Sequence, residues 1–343
     1  MNIFLTVIIL GILIFVHELG HFLTARRIGI PVYEFALGFG YKLFSHTKDG
    51  VQYSLRLIPL GGFVRMAGEE PGDNEDPLGY SHRTPLEKIM VSVAGPLMNI
   101  LLGLLIFVYS YAFIGLPQAS NEPVIGRVIS GEPAAEAGVQ AGDRVVAINA
   151  YRIESWEQIT SRLGSNPPGQ AVTITIERQG KTLDLVMVPR QNATTGVPAI
   201  GVMGQFYYEK QGVLKSISYG FKQTFMLTGL LLSGLWTIIS GGASAGDLAG
   251  PVGITMMVGE ASQFGTIFLL GFIAFLSINL GVLNLLPIPA LDGSRIIFAL
   301  AEVIRRKPLE PEREGLIHWF GFLFLMLLIV FVTYNDILRL IKG

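Results

Sequence analysis

Long apolar runs punctuate the chain. Residues Ile3 to Val16 are uninterruptedly apolar or small, and after His17 to His21 the run resumes from Phe22 to Ala25, until Arg26 and Arg27 close it. A helix from Ile3 to Ala25 reaches roughly 34 Å at 1.5 Å per residue, enough to cross a hydrocarbon core about 30 Å thick. No basic residue precedes the run and the first positive charges follow it, so a retained span over residues 1–25 is expected, not a cleaved leader. Val91 to Ile114, Gly265 to Pro289 and Leu316 to Ile337 are three further runs, predicting spans over 91–115, 265–293 and 316–338. Val213 to Ser240 is a fifth apolar stretch, interrupted by Lys215, Lys222, Gln223 and several glycines.

Elsewhere the period changes. Between Arg26 and Met90, Tyr33 to Phe39, Val51 to Leu57 and Phe63 to Met66 read as short strands broken by Gly38, Gly40, Gly61 and Gly62, with Lys48, Asp49 and Gly50 as a turn. A small membrane-associated β-sheet within 26–90 is therefore expected. Glu69, Glu70, Asp73, Glu75 and Asp76, with Pro71 and Pro77, read as a solvated linker without chemistry. Gly115 to Gly212 has ordinary soluble composition and is expected to form a separate domain.

Composition sharpens this picture. Half of the residues are hydrophobic and only 15% are charged, with a mean hydropathy of +0.52, so a wholly soluble chain is excluded. Lys and Arg number 25 against 26 Asp and Glu, a net charge of −1, which offers no broad basic field for nucleic acid. Cysteine is absent, which removes disulfides and thiolate metal ligands. Basic residues cluster after the first span (Arg26, Arg27) and in 294–315 (Arg295, Arg305, Arg306, Lys307, Arg313). Both segments are expected on the cytoplasmic side, with the N-terminus and the 115–212 domain outside.

His17, Glu18, Leu19, Gly20 and His21 form HExxH. On a helix, positions i and i+4 share a face, so both imidazoles can address one Zn²⁺ while Glu18 sits beside the metal-bound water as general base. Surface histidines that merely satisfy themselves are the alternative, but these ionisable groups lie inside an apolar span, where each is costly without a partner. A catalytic zinc site needs a third protein ligand. Candidates in or beside the spans are Asp292, Glu302, His318, Asp336 and Glu260. Asp292 stands out because Pro287 and Pro289 break the helix just before it, and broken backbone at membrane depth is tolerated where it lines a site. An N-terminal cap for the following helix is a second use for the same carboxylate.

Depth supplies a check. His17 and His21 lie roughly 6–12 Å from the cytoplasmic end of the first span. With four spans the third descends from outside and delivers Asp292 near that depth. A crossing by Val213 to Ser240 would instead carry Asp292 to the far side, roughly 20 Å or more away. Residues 213–263 are therefore expected to lie along the surface or in a cleft without spanning.

These residues resemble the site-2 proteases, zinc metalloproteases that cut within membranes, and in particular their bacterial RseP-type branch. The resemblance covers nearly the whole chain. It rests on HELGH at 17–21, Gly38 to Gly40, AGPLMN at Ala94 to Asn99, AGPVGI at Ala249 to Ile254 and NLLPIPALDG at Asn284 to Gly293. It implies that His17, His21 and Asp292 bind zinc, that Glu18 is the catalytic base, and that Asn279 and Asn284 hold substrate backbone. Hydrogen bonding between spans would serve those amides equally well. The stretch Gly131 to Val145, with Ala199 to Val202, resembles a circularly permuted PDZ domain, expected over 121–204. Ala150 stands after Asn149 where glycine is usual. The implied fold is a polytopic α-helical membrane protein with four transmembrane helices, a membrane-associated small β-sheet and one extracytoplasmic PDZ (α+β) domain.

The implied activity is regulated intramembrane proteolysis in a bacterial cell membrane. Its substrates would be transmembrane proteins such as anti-sigma factors or remnant signal peptides, after a first cut by another protease. A transmembrane helix must unwind to be cut, and an edge strand of the 33–66 sheet could pair with the extended segment. On this reading Leu55 and Leu57 are edge positions where proline should slow cleavage. The PDZ domain is read as a gate against bulky substrates, with capture of a new C-terminus as the competing use. A catalytically inactive membrane PDZ scaffold and a metal transporter are the other function classes; Glu18→Gln separates them from an enzyme.

Overall fold

A computed structural model describes residues 2–69, 76–167, 169–191, 196–242, 249–307 and 311–342. The chain divides into two units, Met1–Phe113 with Gly212–Gly343, and Ile114–Gln211. In the first, α1 (Asn2–Ile28) carries the HExxH stretch and ends on Arg26 and Arg27, cations that suit the negative end of a helix. Two long strands follow, β1 (Val32–Lys48) and β2 (Val51–Met66). Thr84 then starts α2 (Pro85–Tyr109) with a capping box, its hydroxyl accepting from Glu87 N–H while Glu87 accepts from Thr84 N–H.

The two strands fold back on themselves. Phe35 is partnered by both Val64 and Tyr53, and Ala36 by both Phe63 and Ser54, so residues 34–37 lie centrally. Leu55 is itself paired with Leu37 and with Phe44. It is therefore interior to the sheet, and the expectation that Leu55 sits at an edge is corrected. Residues 62–65 are paired on one side only, by 34–37, and residues 44–48 only by 51–55, which makes these two runs the edges; the first lies beside α1. The glycines anticipated as breaks permit the bends: Gly38, Gly40 and Gly61 all have positive φ.

The second unit is built from β3 (Leu116–Ala119), β4 (Ile125–Val128), α3 (Pro133–Glu136), β5 (Arg144–Ile148), β6 (Tyr151–Arg152), α4 (Trp156–Gly164), β7 (Val172–Arg178), β8 (Lys181–Met187), β9 (Arg190–Gln191), β10 (Pro198–Ala199), β11 (Val202–Gly204) and β12 (Phe206–Glu209). A four-stranded sheet has the order β6-β5-β7-β8, and β4 pairs with β11, β3 with β12 and β9 with β10. Strict alternation in β7 turns Val172, Ile174 and Ile176 into a core that also holds Val145, Ile148, Ile159 and Leu163. Asp143, 1% exposed, joins that interior by hydrogen bonding Arg178 through both carboxylate oxygens at 2.7 Å.

Returning to the first unit, α5 (Val213–Ile239) buries Ser216, Gly220 and Thr224, and Gly220 lies against Val108 of α2. Next comes α6 (Pro251–Phe264), whose Gly253 N–H donates to Asp336 Oδ2 at 2.8 Å. The remaining helices are α7 (Thr266–Asn284), α8 (Asp292–Arg305) and α9 (Pro311–Lys342). Among the described residues, four helices are long and apolar enough to cross a membrane: α1, α2 continued by a π-turn to Ile114, α7 and α9. The 294–315 segment, expected as a loop, contains most of α8, and the third apolar helix stops at Asn284 instead of running to 293. Residues 70–75 of the acidic stretch lie outside the described residues. Glu69 is described, and the expectation that it belongs to a solvated linker is corrected below.

Candidate metal centre

Helical spacing stacks His17 and His21 on one face of α1, with ring centroids 4.8 Å apart. That face meets α2 at two glycines. A β-carbon on Gly20 would overlap the Ala94 carbonyl, and one on Gly95 would overlap His21 Nε2 and come within 2.9 Å of His17 Nε2. Only hydrogen at these positions lets α2 approach the imidazoles. One turn earlier on α2, the Val91 carbonyl accepts from His21 Nδ1 at 2.8 Å. A proton on Nδ1 leaves the Nε2 lone pair free for a metal.

The third residue arrives through a broken helix. Beyond Asn284 the chain passes Pro287 and Pro289, and Ala290 adopts φ 75°. Ala290 N–H donates to His318 Nδ1 at 3.1 Å, so α9 holds the bend. Helix α8 begins at Asp292, whose carboxylate sits in the first turn, where the helix dipole favours negative charge. Asp292 Oδ2 lies 3.0 Å from His17 Nε2 and 3.3 Å from His21 Nε2, and the two Nε2 atoms are 3.2 Å apart.

Those three edges fit a metal. Ligands at about 2.0–2.1 Å from a tetrahedral Zn²⁺ are separated by about 3.3 Å. Asp292 Oδ2 is buried and close to both rings yet has no aligned hydrogen bond, and His17 Nδ1 also lacks a partner among the described residues. An acceptor oxygen held against two imidazole nitrogens with no aligned hydrogen is what a cation would satisfy. The other ligand candidates are engaged elsewhere: Glu302 with Lys88 at 2.8 Å, Asp336 with Gly253, and His318 with Ala290, while Glu260 is exposed.

A cavity of about 280 Å³ surrounds the triad and is lined in addition by Glu18, Phe63, Val64, Glu69, Asn284 and Arg295. The sheet edge closes one side, since a β-carbon on Gly62 would lie 3.3 Å from Glu18 Cγ. Asn284 lines this cavity, its amide donating to Leu280 O at 3.0 Å. Asn279 is half-buried on α7, one turn before Leu283, and is not among the residues lining that cavity. Glu69, expected to be inert, accepts from Arg295 Nη1 at 2.6 Å. Burial works against the Arg295 charge, but Glu69, Tyr80 and Asp292 outweigh it and hold the guanidinium more firmly protonated than in water. Asn99 is fully buried with neither amide atom partnered among the described residues. Gly95, Val91 and Arg295 escaped sequence reasoning, although AGPLMN pointed to the first.

Residues 5–328 match the peptidase family M50. The chain is 34% identical to the zinc metalloprotease RasP of Geobacillus kaustophilus, over 96% of each chain. It is 34% identical to the regulator of sigma-W protease RasP of Bacillus subtilis, over 97% of each, and 36% identical to the zinc metalloprotease RasP of Bacillus licheniformis, over 97% of this chain and 98% of that one. Among solved structures, a PDZ domain of an SdrC-like protein from Listeria monocytogenes aligns at 21% identity, covering 25% of this chain and 90% of that one, with a TM-score of 0.23.

Proposed function

We propose, from the premise that this chain belongs to peptidase family M50, the site-2 proteases, that His17, His21 and Asp292 hold its catalytic zinc and that Glu18 is its general base. The protein is an intramembrane zinc metalloprotease of regulated proteolysis. One observation carries the residue assignment: two imidazole nitrogens and a carboxylate oxygen converge at tetrahedral ligand spacing in the cavity that Glu18 lines.

Held by His17, His21 and Asp292, zinc would supply a Lewis acid for the scissile carbonyl and would lower the pKa of water. Glu18 takes the water proton and returns it to the leaving amine. Val91, through His21 Nδ1, fixes the imidazole tautomer. The substrate segment, unwound from its helix, adds to the edge formed by residues 62–66, so that backbone pairing replaces the hydrogen bonds it gave up. Asn284, on the cavity wall, and Asn279, farther along α7, hold the extended backbone, as the resemblance implies.

The substrates we assign are single-span membrane proteins already shortened by another protease, of the anti-sigma-factor or remnant-signal-peptide kind. The relative from Bacillus subtilis is named for regulating sigma-W, which supports the first. The enzyme is placed in a bacterial cell membrane with α1, α2, α7 and α9 spanning, α5 along the surface or in a cleft, and the N-terminus and PDZ domain outside. The PDZ domain acts there as a gate against bulky external domains. Its removal should allow cleavage of uncut substrates, whereas a C-terminus receptor predicts loss of cleavage.

Glu18→Gln tests the assignment. Purified variant should keep one zinc per chain and lose cleavage of a transmembrane peptide by at least about 100-fold. Full activity would remove Glu18 from the chemistry.

A further inference from the structure

The edge strand and the ligand helix are joined by one ion pair. Glu69 stands three residues beyond Met66, the last residue of β2, and its Oε2 accepts from Met66 N–H at 3.3 Å. The same carboxylate accepts from Arg295 Nη1 at 2.6 Å through Oε1. Arg295 stands three residues after Asp292, on the same side of the first turns of α8. The guanidinium carbon also lies 5.7 Å from the centre of the Tyr80 ring. Tyr80 Oη is 3.3 Å from Ser92 Oγ, and Ser92 follows the Val91 carbonyl that anchors His21. Both charged side chains are largely withdrawn from solvent, at 27% and 17% exposure. An ion pair so placed is weakly screened and rigid.

We infer that Arg295 is a positioning residue that fixes the register of the substrate-binding edge against the zinc ligand Asp292, through Glu69. This deepens the edge-strand reading and rests on it. A peptide added to an edge strand can slip, and slipping by one residue reverses every side chain, so alternative registers lie two residues apart. Whichever register is held sets which carbonyl faces the metal. Strand pairing alone does not choose among them; a fixed distance from strand end to ligand does. Arg295 contributes that distance by gripping the carboxylate that caps β2 while its own helix carries Asp292.

The test uses the full chain in detergent with a single-span peptide, measuring zinc content, kcat, KM and the cleaved bonds by mass spectrometry. Arg295→Met should retain zinc, lower kcat about tenfold with KM little changed, and spread cleavage to bonds two residues either side. Arg295→Lys should recover most of the single-bond pattern, and the exchange Glu69→Arg with Arg295→Glu should restore it in part. Glu69→Gln makes the same prediction should Arg295→Met fail to fold. Cleavage at the one original bond at the wild-type rate, or zinc lost in proportion to activity, would overturn the inference. Consecutive strand N–H groups point to opposite sides, so one of Phe63 and Val64 faces outward; proline there separates the two claims. If neither proline slows cleavage, the edge-strand reading falls whatever Arg295 does. If one does while Arg295→Met keeps bond and rate, only the role of Arg295 falls.

Discussion

Asp143 and Asp292 are both largely withdrawn from solvent, and they are treated in opposite ways. Asp143, in the second unit, meets Arg178 through both oxygens and accepts from Gln140 N–H at 2.8 Å. Its charge is matched and its lone pairs are used. Asp292, in the first unit, faces two imidazoles across 3.0 and 3.3 Å without an aligned hydrogen bond. A carboxylate matched in this way has no lone pair left for a ligand, and removing one partner of such a pair is costly. One set against two imidazole nitrogens without an aligned hydrogen can still accept a cation, which is the role proposed for Asp292.

The contrast breaks most sharply at Gly95. Its replacement by alanine drives a methyl group into both Nε2 positions, and misplacement on this scale should cost cleavage roughly 100-fold, with zinc lost in step. Metal analysis beside a peptide-cleavage assay checks this; normal zinc and rate would mean that α2 does not press on the site. The corresponding blow to the second unit is Asp143→Asn, which removes the negative charge facing Arg178 and leaves the guanidinium its bond to Gly138 O. It should lower that unit's stability measurably while leaving zinc content unchanged, read by thermal unfolding and metal analysis.

The pH dependence of that pair has a definite sign. Burial raises the Asp143 pKa, but hydrogen bonds from Arg178 and Gln140 N–H prevail and the net shift is downward. A carboxylate depressed in the folded state stabilises fully above its unfolded pKa, about 3.9, and that contribution fades as pH falls through the folded value. Wild type should therefore lose more stability than Asp143→Asn as pH falls below about 4, and parallel curves would contradict this. The smallest effect concerns the β5–β6 turn, where Asn149 and Ala150 have φ 47° and 66°. Ala150→Gly relieves the left-handed strain and should raise stability by about 1 kcal/mol, measured by chemical unfolding.

Legibility in the sequence followed the same divide. HExxH declares itself because helical spacing alone aligns His17 with His21, and Asp292 could be selected because Pro287 and Pro289 break a helix where breaks are costly. The four apolar helices followed from length and hydropathy. What could not be read depends on pairing across sequence distance. Glu69 looked like one more acid in a Pro-punctuated stretch, and its partner is 226 residues away. The sheet edge was misassigned to Leu55 because alternation reveals strands but not which strand lies centrally. Val91 acts through its carbonyl, a group that every residue carries.

Zinc content and X-ray absorption of the purified wild type and of Asp292→Ala decide whether His17, His21 and Asp292 share one metal. One zinc per chain is expected, with two imidazole nitrogens and a carboxylate oxygen around it, and at least about tenfold weaker binding in the variant. Full zinc occupancy with unchanged coordination in Asp292→Ala would contradict this.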